Sequence, residues 1–243
     1  RNKVGYFNKM LNMVKNIFLV IKIARKFKPD ILVGRASPLL AVTSKIFRRP
    51  FLSFSDTEHA KINYIFAFPF ATKIITPKCF IQDLGEKHIR FDGYFEQCYL
   101  DPKYFDPDPY VLNFLGVKKG GKYVILRFVS WAAIHDIGHS GLSLQIKKQA
   151  VKELSKYAKV FISSEGELPE DLKQYQIKIP PEKMHDILYF ATLYVGEGAT
   201  MASECAMLGT PAIYVNSLTS GTLEEQQEYG LIYGFRNSKG VLE

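Results

Sequence analysis

A chain of 243 residues with 47% hydrophobic content is long enough to bury one or two cores, and nothing in its composition signals disorder. Its net charge of +8 is unevenly placed: residues 1–50 hold 12 Lys and Arg against the single Asp30, a net +11, so the remainder sums to −3. A spanning helix is excluded because the most apolar run, Ile62 to Thr76, is broken by Pro69 and Lys73, and a zinc framework is excluded because Cys79, Cys98 and Cys205 are scattered without a CxxC pair.

In chain order, Leu11, Val14, Phe18 and Ile21 recur at helical spacing between Phe7 and Phe27, with Lys15, Lys22, Arg25 and Lys26 mostly elsewhere, which predicts an amphipathic basic helix. Such a charge run marks an anionic partner (nucleic acid, lipid or a phosphorylated substrate) or simply a solvated face. The helix ends at Lys28-Pro29-Asp30, and "ILVG" (31–34) then reads as a short buried parallel strand. A helix over Pro38–Phe47, a strand in "PFLSFSD" (50–56), a helical or irregular stretch from Tyr64 to Phe70 and a strand in "TKIITP" (72–77) follow. Between Gly93 and Gly121 the pattern lapses into "DPKYFDPDPY", read as a linker.

Alternation resumes with a strand in "KYVILRFVS" (122–130), a helix over 143–157, strands in "KVFISSE" (159–165) and "YQIKIP" (175–180), and a helix over 181–190. A strand in "TLYVGEG" (192–198), a helix over 200–208, a strand in "PAIYVN" (211–216) and a final helix with a strand-like end in "TLEEQQEYGLIYGF" (222–235) complete the series. The expected fold is α/β: a partial Rossmann-like domain over 1–95, a linker over 96–120 and a second Rossmann-like domain over 121–243, with a cleft between two parallel sheets. Ligands of such sheets sit beyond the carboxyl ends of strands, which here carry Gly34–Ser37, Ser55–His59, Ser130–Trp131 and Gly196–Thr200. Each of these, taken singly, also reads as an ordinary capped turn.

The segment "GEGATMASECAMLGTPAIYVN" (196–216) is the most informative. Gly196 and Gly198 allow close backbone approach, Thr200 is expected to cap the following helix, and the first amides of that helix suit a phosphate. Glu204 lies four residues beyond Thr200, on the same face, where its carboxylate accepts hydrogen bonds from a vicinal diol. A ribose beside a diphosphate offers such a diol.

The segment resembles the nucleotide-sugar signature of GT-B-fold glycosyltransferases of the MurG type and of UDP-N-acetylglucosamine 2-epimerases. The resemblance implies diphosphate contacts from Gly198, Ala199 and Thr200, a ribose contact from Glu204, and donor-sugar contacts from the acidic-Gln-Gln stretch Glu225-Gln226-Gln227. It extends upstream to "KPDILVGRASPLLAVTSKIFRRPFLSFSDTEHA" (28–60). The whole chain, including "RFVSWAAIHDIG" (127–138) and "VFISSEGELPE" (160–170), also resembles a family of archaeal and bacterial proteins of about 350 residues defined as a domain of unknown function. That implies that about the first hundred residues, which supply an acceptor loop and often the catalytic base, are absent here. The opening residue agrees, since Arg1 begins inside a helical pattern without a signal-peptide layout.

Departures from the relatives restrict the chemistry. The epimerases place an acidic residue where this chain has Gly34-Arg35-Ala36-Ser37, which argues against their mechanism; Glu58 falls where their next acid stands and is the candidate acid/base. Asp56 is the second candidate, though it and His59 read equally well as a helix cap and a surface imidazole. Ser130 and Trp131 are diphosphate candidates without the compact glycine turn of the MurG type. Arg127 and His135 are read as neutralising donor phosphates, with a structural Arg127 packed across the sheet as the equal alternative. His135, Asp136 and His139 form H-D-x-x-H without further ligands at suitable spacing, so no metal is expected. His185 borders a base pocket or serves as a cap, and Ile179 and Pro180 are candidate walls for a uracil ring.

These observations predict a metal-independent glycosyltransferase with a UDP-sugar substrate and no other cofactor. The alternatives are a UDP-sugar epimerase and a non-enzymatic nucleic-acid-binding protein; the latter is opposed by the lack of an RNP-like motif, zinc finger or helix-turn-helix, so no nucleic acid partner is expected. A cytoplasmic location is expected from the three scattered cysteines, odd in number and read as reduced thiols. Peripheral contact of the basic helix with the inner face of an anionic membrane is expected if the acceptor is lipid-linked.

Overall fold

The computed structural model describes residues 3–129 and 142–242. By its contacts the chain forms two units, Arg1–Gly93 and Tyr94–Glu243.

In unit 1, α1 (Lys3–Phe27) leads into β1 (Leu32–Arg35), α2 (Pro38–Phe47), β2 (Phe51–Phe54), α3 (Lys61–Phe66), β3 (Lys73–Pro77) and β4 (His88–Phe91). The strands form one parallel sheet in the order β1-β2-β3-β4. Alternation along each strand sends Leu32, Phe51 and Ile74 into a core closed by Ala41, Ala67 and Phe68. Pro38 starts α2, where its missing N–H costs nothing, and Arg48 ends the helix in the left-handed region at φ 51°. Helix α1 packs on α2 through the buried Ala24, while Phe18, Ile23 and Phe27 are exposed beside Lys15, Lys22 and Lys26.

Unit 2 contains α4 (Gln97–Leu100), α5 (Val111–Leu115), β5 (Tyr123–Phe128), α6 (Leu144–Leu154), β6 (Lys159–Ser164) and α7 (Glu170–Lys173). It continues with α8 (Met184–Phe190), β7 (Leu193–Gly196), α9 (Ala199–Leu208), β8 (Ala212–Val215), α10 (Gly221–Glu228) and β9 (Ile232–Phe235). All five strands are parallel, in the order β6-β5-β7-β8-β9. The interior strand β5 is buried on both faces: Tyr123 and Ile125 join one cluster with Ile187, Leu188, Tyr194, Ala202 and Cys205, and Val124, Leu126 and Phe128 join another with Val151, Ile162 and Leu172. Each fully buried side chain of this size contributes about 1.5–3 kcal/mol of transfer free energy. The polar end of Tyr123 is satisfied inside the core, since its hydroxyl donates to the Ile187 carbonyl at 2.5 Å. Small residues let α9 approach the sheet, and Gly209 at φ 78° ends the helix before Pro211.

Four differences from the sequence reading have local causes. "YQIKIP" forms no strand; its pairing is a single bridge between Gln176 and Ile162, and Pro180 and Pro181 end it. Strand β4 was not expected, because "HIRF" has no continuous apolar run. The stretch read as a linker carries α4 and α5, whose Leu100, Val111, Leu112 and Leu115 are buried. Helix α9 starts at Ala199, so Gly198 is its N-cap and Thr200 is not.

Candidate functional site

The turn from β7 into α9 stands at the carboxyl edge of the second sheet, where β5 ends at Phe128, β6 at Ser164 and β8 at Val215. Gly196 pairs with Arg127 in the sheet and is required sterically: a Cβ there would lie 2.4 Å from the Tyr194 hydroxyl oxygen and 2.8 Å from the Arg127 Cβ. Gly198 differs, because a Cβ would find nothing nearer than 3.7 Å. Gly198 gives α9 no side-chain cap, so the first amides of the helix, from Ala199 and the exposed Thr200 onward, keep their donor capacity and the positive end of the dipole.

Glu197, between the two glycines, was not singled out in the sequence. It is 1% exposed and its carboxylate accepts from the Val129 amide at 3.0 Å and the Leu142 amide, while the Lys147 ammonium sits at 3.0 Å. Its carbonyl accepts from Asn216 Nδ2 at 3.0 Å. This one residue therefore ties the end of β5, the entry to α6 and the end of β8 to the turn. A cavity of about 360 Å³ opens alongside, lined among others by Phe128, Val129, Lys147 and Leu168.

Glu204, one turn into α9, is nearly buried. Its Oε1 accepts from the Tyr99 hydroxyl at 3.1 Å and from His185 Nε2 at 3.2 Å. The imidazole lies against two aromatic rings, Tyr99 with a centroid separation of 5.4 Å and Phe105 at 6.2 Å. The bond to Glu204 holds the His185 proton and raises its pKa above the ordinary imidazole value, against the opposing effect of burial. The same carboxylate adds to burial in pushing the Cys205 thiol up.

Other expected residues have different surroundings. Arg127 reaches across β6, donating to Ser163 Oγ at 2.8 Å and to Glu165 Oε1 at 2.7 Å. Glu225 on α10 accepts from the Tyr94 hydroxyl at 2.5 Å. Gln226 is wholly buried; its amide nitrogen donates to Ser203 Oγ at 3.0 Å and its Oε1 finds no partner among the described residues. Gln227 packs its amide against Gly234. Ile179 packs on the core while Pro180 is exposed. Ser130 and His135, with Trp131, Asp136 and His139, lie outside the described residues.

In unit 1, Asp56 forms an ion pair with Arg35 and accepts from the Thr57 hydroxyl at 2.9 Å. Glu58 is buried at 7% exposure, and its Oε1 accepts from the Ile81 amide at 3.4 Å. Burial first and the Glu58 charge second raise the Tyr64 phenol pKa. Ala36, in the turn after β1, adopts φ 30°, a left-handed conformation that costs energy for a residue with a Cβ. Among the described residues no group of three or more His, Cys, Asp or Glu could hold a metal ion, and no helix is long and apolar enough to cross a membrane.

Two α/β units with parallel sheets of four and five strands, the second carrying a glycine turn into a helix, define a GT-B-like protein of the Rossmann type. The chain belongs to the family described as protein of unknown function DUF354, whose model matches residues 2–222. It is 22% identical over 216 residues to the uncharacterized protein MJ0665 of Methanocaldococcus jannaschii, covering 85% of this chain. The chain spans only 63% of that relative's length. Among solved structures, the UDP-N-acetylglucosamine 2-epimerase of Rickettsia bellii has a TM-score of 0.63 at 16% identity, covering 93% of this chain and 66% of its own. The UDP-GlcNAc 2-epimerase of M. jannaschii, in complex with UDP-GlcNAc and UDP, has a TM-score of 0.61 at 13% identity, with coverages of 93% and 70%. The glycotransferase of kitacinnamycin has a TM-score of 0.57 at 11% identity, with coverages of 96% and 70%. At these identities the likeness is one of fold.

Proposed function

We propose that this chain binds a nucleoside diphosphate sugar at the β7–α9 turn and transfers the sugar to an acceptor. The observation that carries the reading is the pairing of an uncapped helix start at Gly198 with an almost buried carboxylate, Glu204, one turn further on. The first amides meet the diphosphate and Glu204 meets the ribose diol. Fold neighbours that bind UDP or UDP-GlcNAc support a uridine nucleotide. In this reading the leaving diphosphate is stabilised by amide dipoles and basic side chains, with no metal or further cofactor. Glu58, buried at 7% exposure, is the acid/base candidate of unit 1, and Asp56, paired with Arg35, is the second. The setting is cytoplasmic, with the exposed apolar and basic residues of α1 on an anionic membrane surface where the acceptor is lipid-linked.

Calorimetry with UDP, GDP, CDP and their sugars tests the reading, repeated on Glu204→Ala. Loss of a charge-assisted contact weakens binding by about 1.5–3 kcal/mol; an unchanged affinity removes Glu204 from the site. A second reading, epimerisation of a UDP-sugar, is favoured by the number of epimerases among the fold neighbours. Against it stands the acid-free turn Gly34–Ser37. Deuterium uptake into the sugar ring from heavy water, in the absence of any acceptor, would decide for the epimerase.

A further inference from the structure

The Glu204 carboxylate is divided in its use. Two donors from different elements, Tyr99 of α4 and His185 of α8, both converge on Oε1. Oε2 makes no hydrogen bond among the described residues. The imidazole is held in place by the Tyr99 and Phe105 rings, and Nε2 must carry the proton because its partner is a carboxylate. A carboxylate anchored through one oxygen cannot turn freely, so its other oxygen is presented in one direction.

We infer that His185 and Tyr99 are the positioning residues of this site: they fix Glu204 so that Oε2 receives the sugar hydroxyls of a nucleotide, and the gain of a second ring proton by His185 couples nucleotide affinity to pH. The inference rests on the reading of the β7–α9 turn as a nucleoside diphosphate site. The coupling has a definite sign. An imidazolium beside the site attracts a dianionic diphosphate ester, and bound ligand in turn favours the charged ring, so affinity is highest below the free-protein pKa of His185 and falls as pH rises through it. The charged and titratable groups around His185 are Glu204 of α9, Tyr99 of α4 and, on its own segment, Asp186. Lys183, next to it, pairs with Asp186 and Asp108. The bond with Glu204 raises the His185 pKa, which moves the transition toward neutral pH.

The test is calorimetric titration of the full chain with a UDP-sugar, whose diester phosphates do not ionise between about pH 6 and 9. The wild type should lose about tenfold in affinity across that range. His185→Gln, which keeps a donor but no charge, should bind with a flat pH profile, and Tyr99→Phe should bind more weakly at every pH while keeping the slope. Proton NMR of the free protein should show the His185 pKa dropping in Glu204→Gln. A wild type that binds with pH-independent affinity, or a His185→Gln variant that keeps the full slope, overturns the coupling and leaves the nucleotide site standing. No binding of any nucleotide at any pH overturns both.

Discussion

The two glycines of the turn answer different demands, and alanine at each separates fold from ligand. At Gly196 an added methyl would meet the Tyr194 oxygen at 2.4 Å, its Cζ at 2.7 Å and the Arg127 Cβ at 2.8 Å. Tyr194 is fully buried and its hydroxyl bonds to the Gly198 carbonyl at 3.3 Å, so it has no room to retreat. Overpacking of this kind costs about 1–3 kcal/mol, and each kcal/mol lowers the melting temperature by about 2–4 °C for a protein of this size. At Gly198 the methyl would meet only ordinary contacts at 3.7–3.8 Å, and the remaining cost is the preference of an N-cap for Gly over Ala, at most about 1 kcal/mol. Gly196→Ala should therefore melt several degrees below Gly198→Ala in scanning calorimetry. If a diphosphate rests on the helix start, Gly198→Ala should nonetheless weaken UDP binding at least tenfold while staying folded. Equal melting temperatures would refute the steric argument, and a Gly198→Ala variant with wild-type affinity would refute the placement of the ligand.

Glu197→Ala orphans the Val129 and Leu142 amides and leaves the Lys147 ammonium, 14% exposed, without its partner, so stability should fall by about 3–5 kcal/mol in urea titrations. Restoring most of it with Glu197→Ala/Lys147→Met would identify the unpaired charge as the cause. His88 is held neutral: Nδ1 accepts from the Leu84 amide at 3.1 Å, Nε2 lies 2.8 Å from the Thr76 hydroxyl, and burial depresses its pKa below 6.5. The unfolded chain therefore binds the proton more readily, so the contribution is complete above about pH 6.5 and is lost as pH falls toward the folded value. Melting temperatures measured down through this range should decline, and His88→Gln should flatten the decline. Among the thiols, exposed Cys98 should react rapidly with a disulfide reagent, while Cys205, buried and with its pKa raised, should react only on unfolding. Labelling followed by mass spectrometry checks the order.

How much of this was legible in the sequence depended on how local the cause was. Strands β5 and β7 declare themselves through their apolar runs, Tyr123–Leu126 and Leu193–Val195, which the sheet buries on both faces. The β7–α9 turn declares itself through its glycines. The cap position did not, since Thr200 is the conventional capping residue and only the backbone conformation shows that Gly198 already plays that part. Gln226 sits in the polar run Glu224–Glu228, which reads as surface, yet it faces Ser203 in the core. Tyr99 is 105 residues from Glu204 and lies in a proline-rich stretch that reads as connection; no periodicity joins the two. Glu197 could have been suspected, because a carboxylate placed between two glycines where an anion is expected needs a compensating cation.

Among the described residues β1 is the outermost strand on one side of the first sheet, and Ile31 and Val33 are exposed at 47% and 56%. A backbone flank of that sort, with β-branched residues beside it, is a template for strand addition. An extended segment laid along this margin would lengthen the sheet by one strand, whichever part of the polypeptide supplies it.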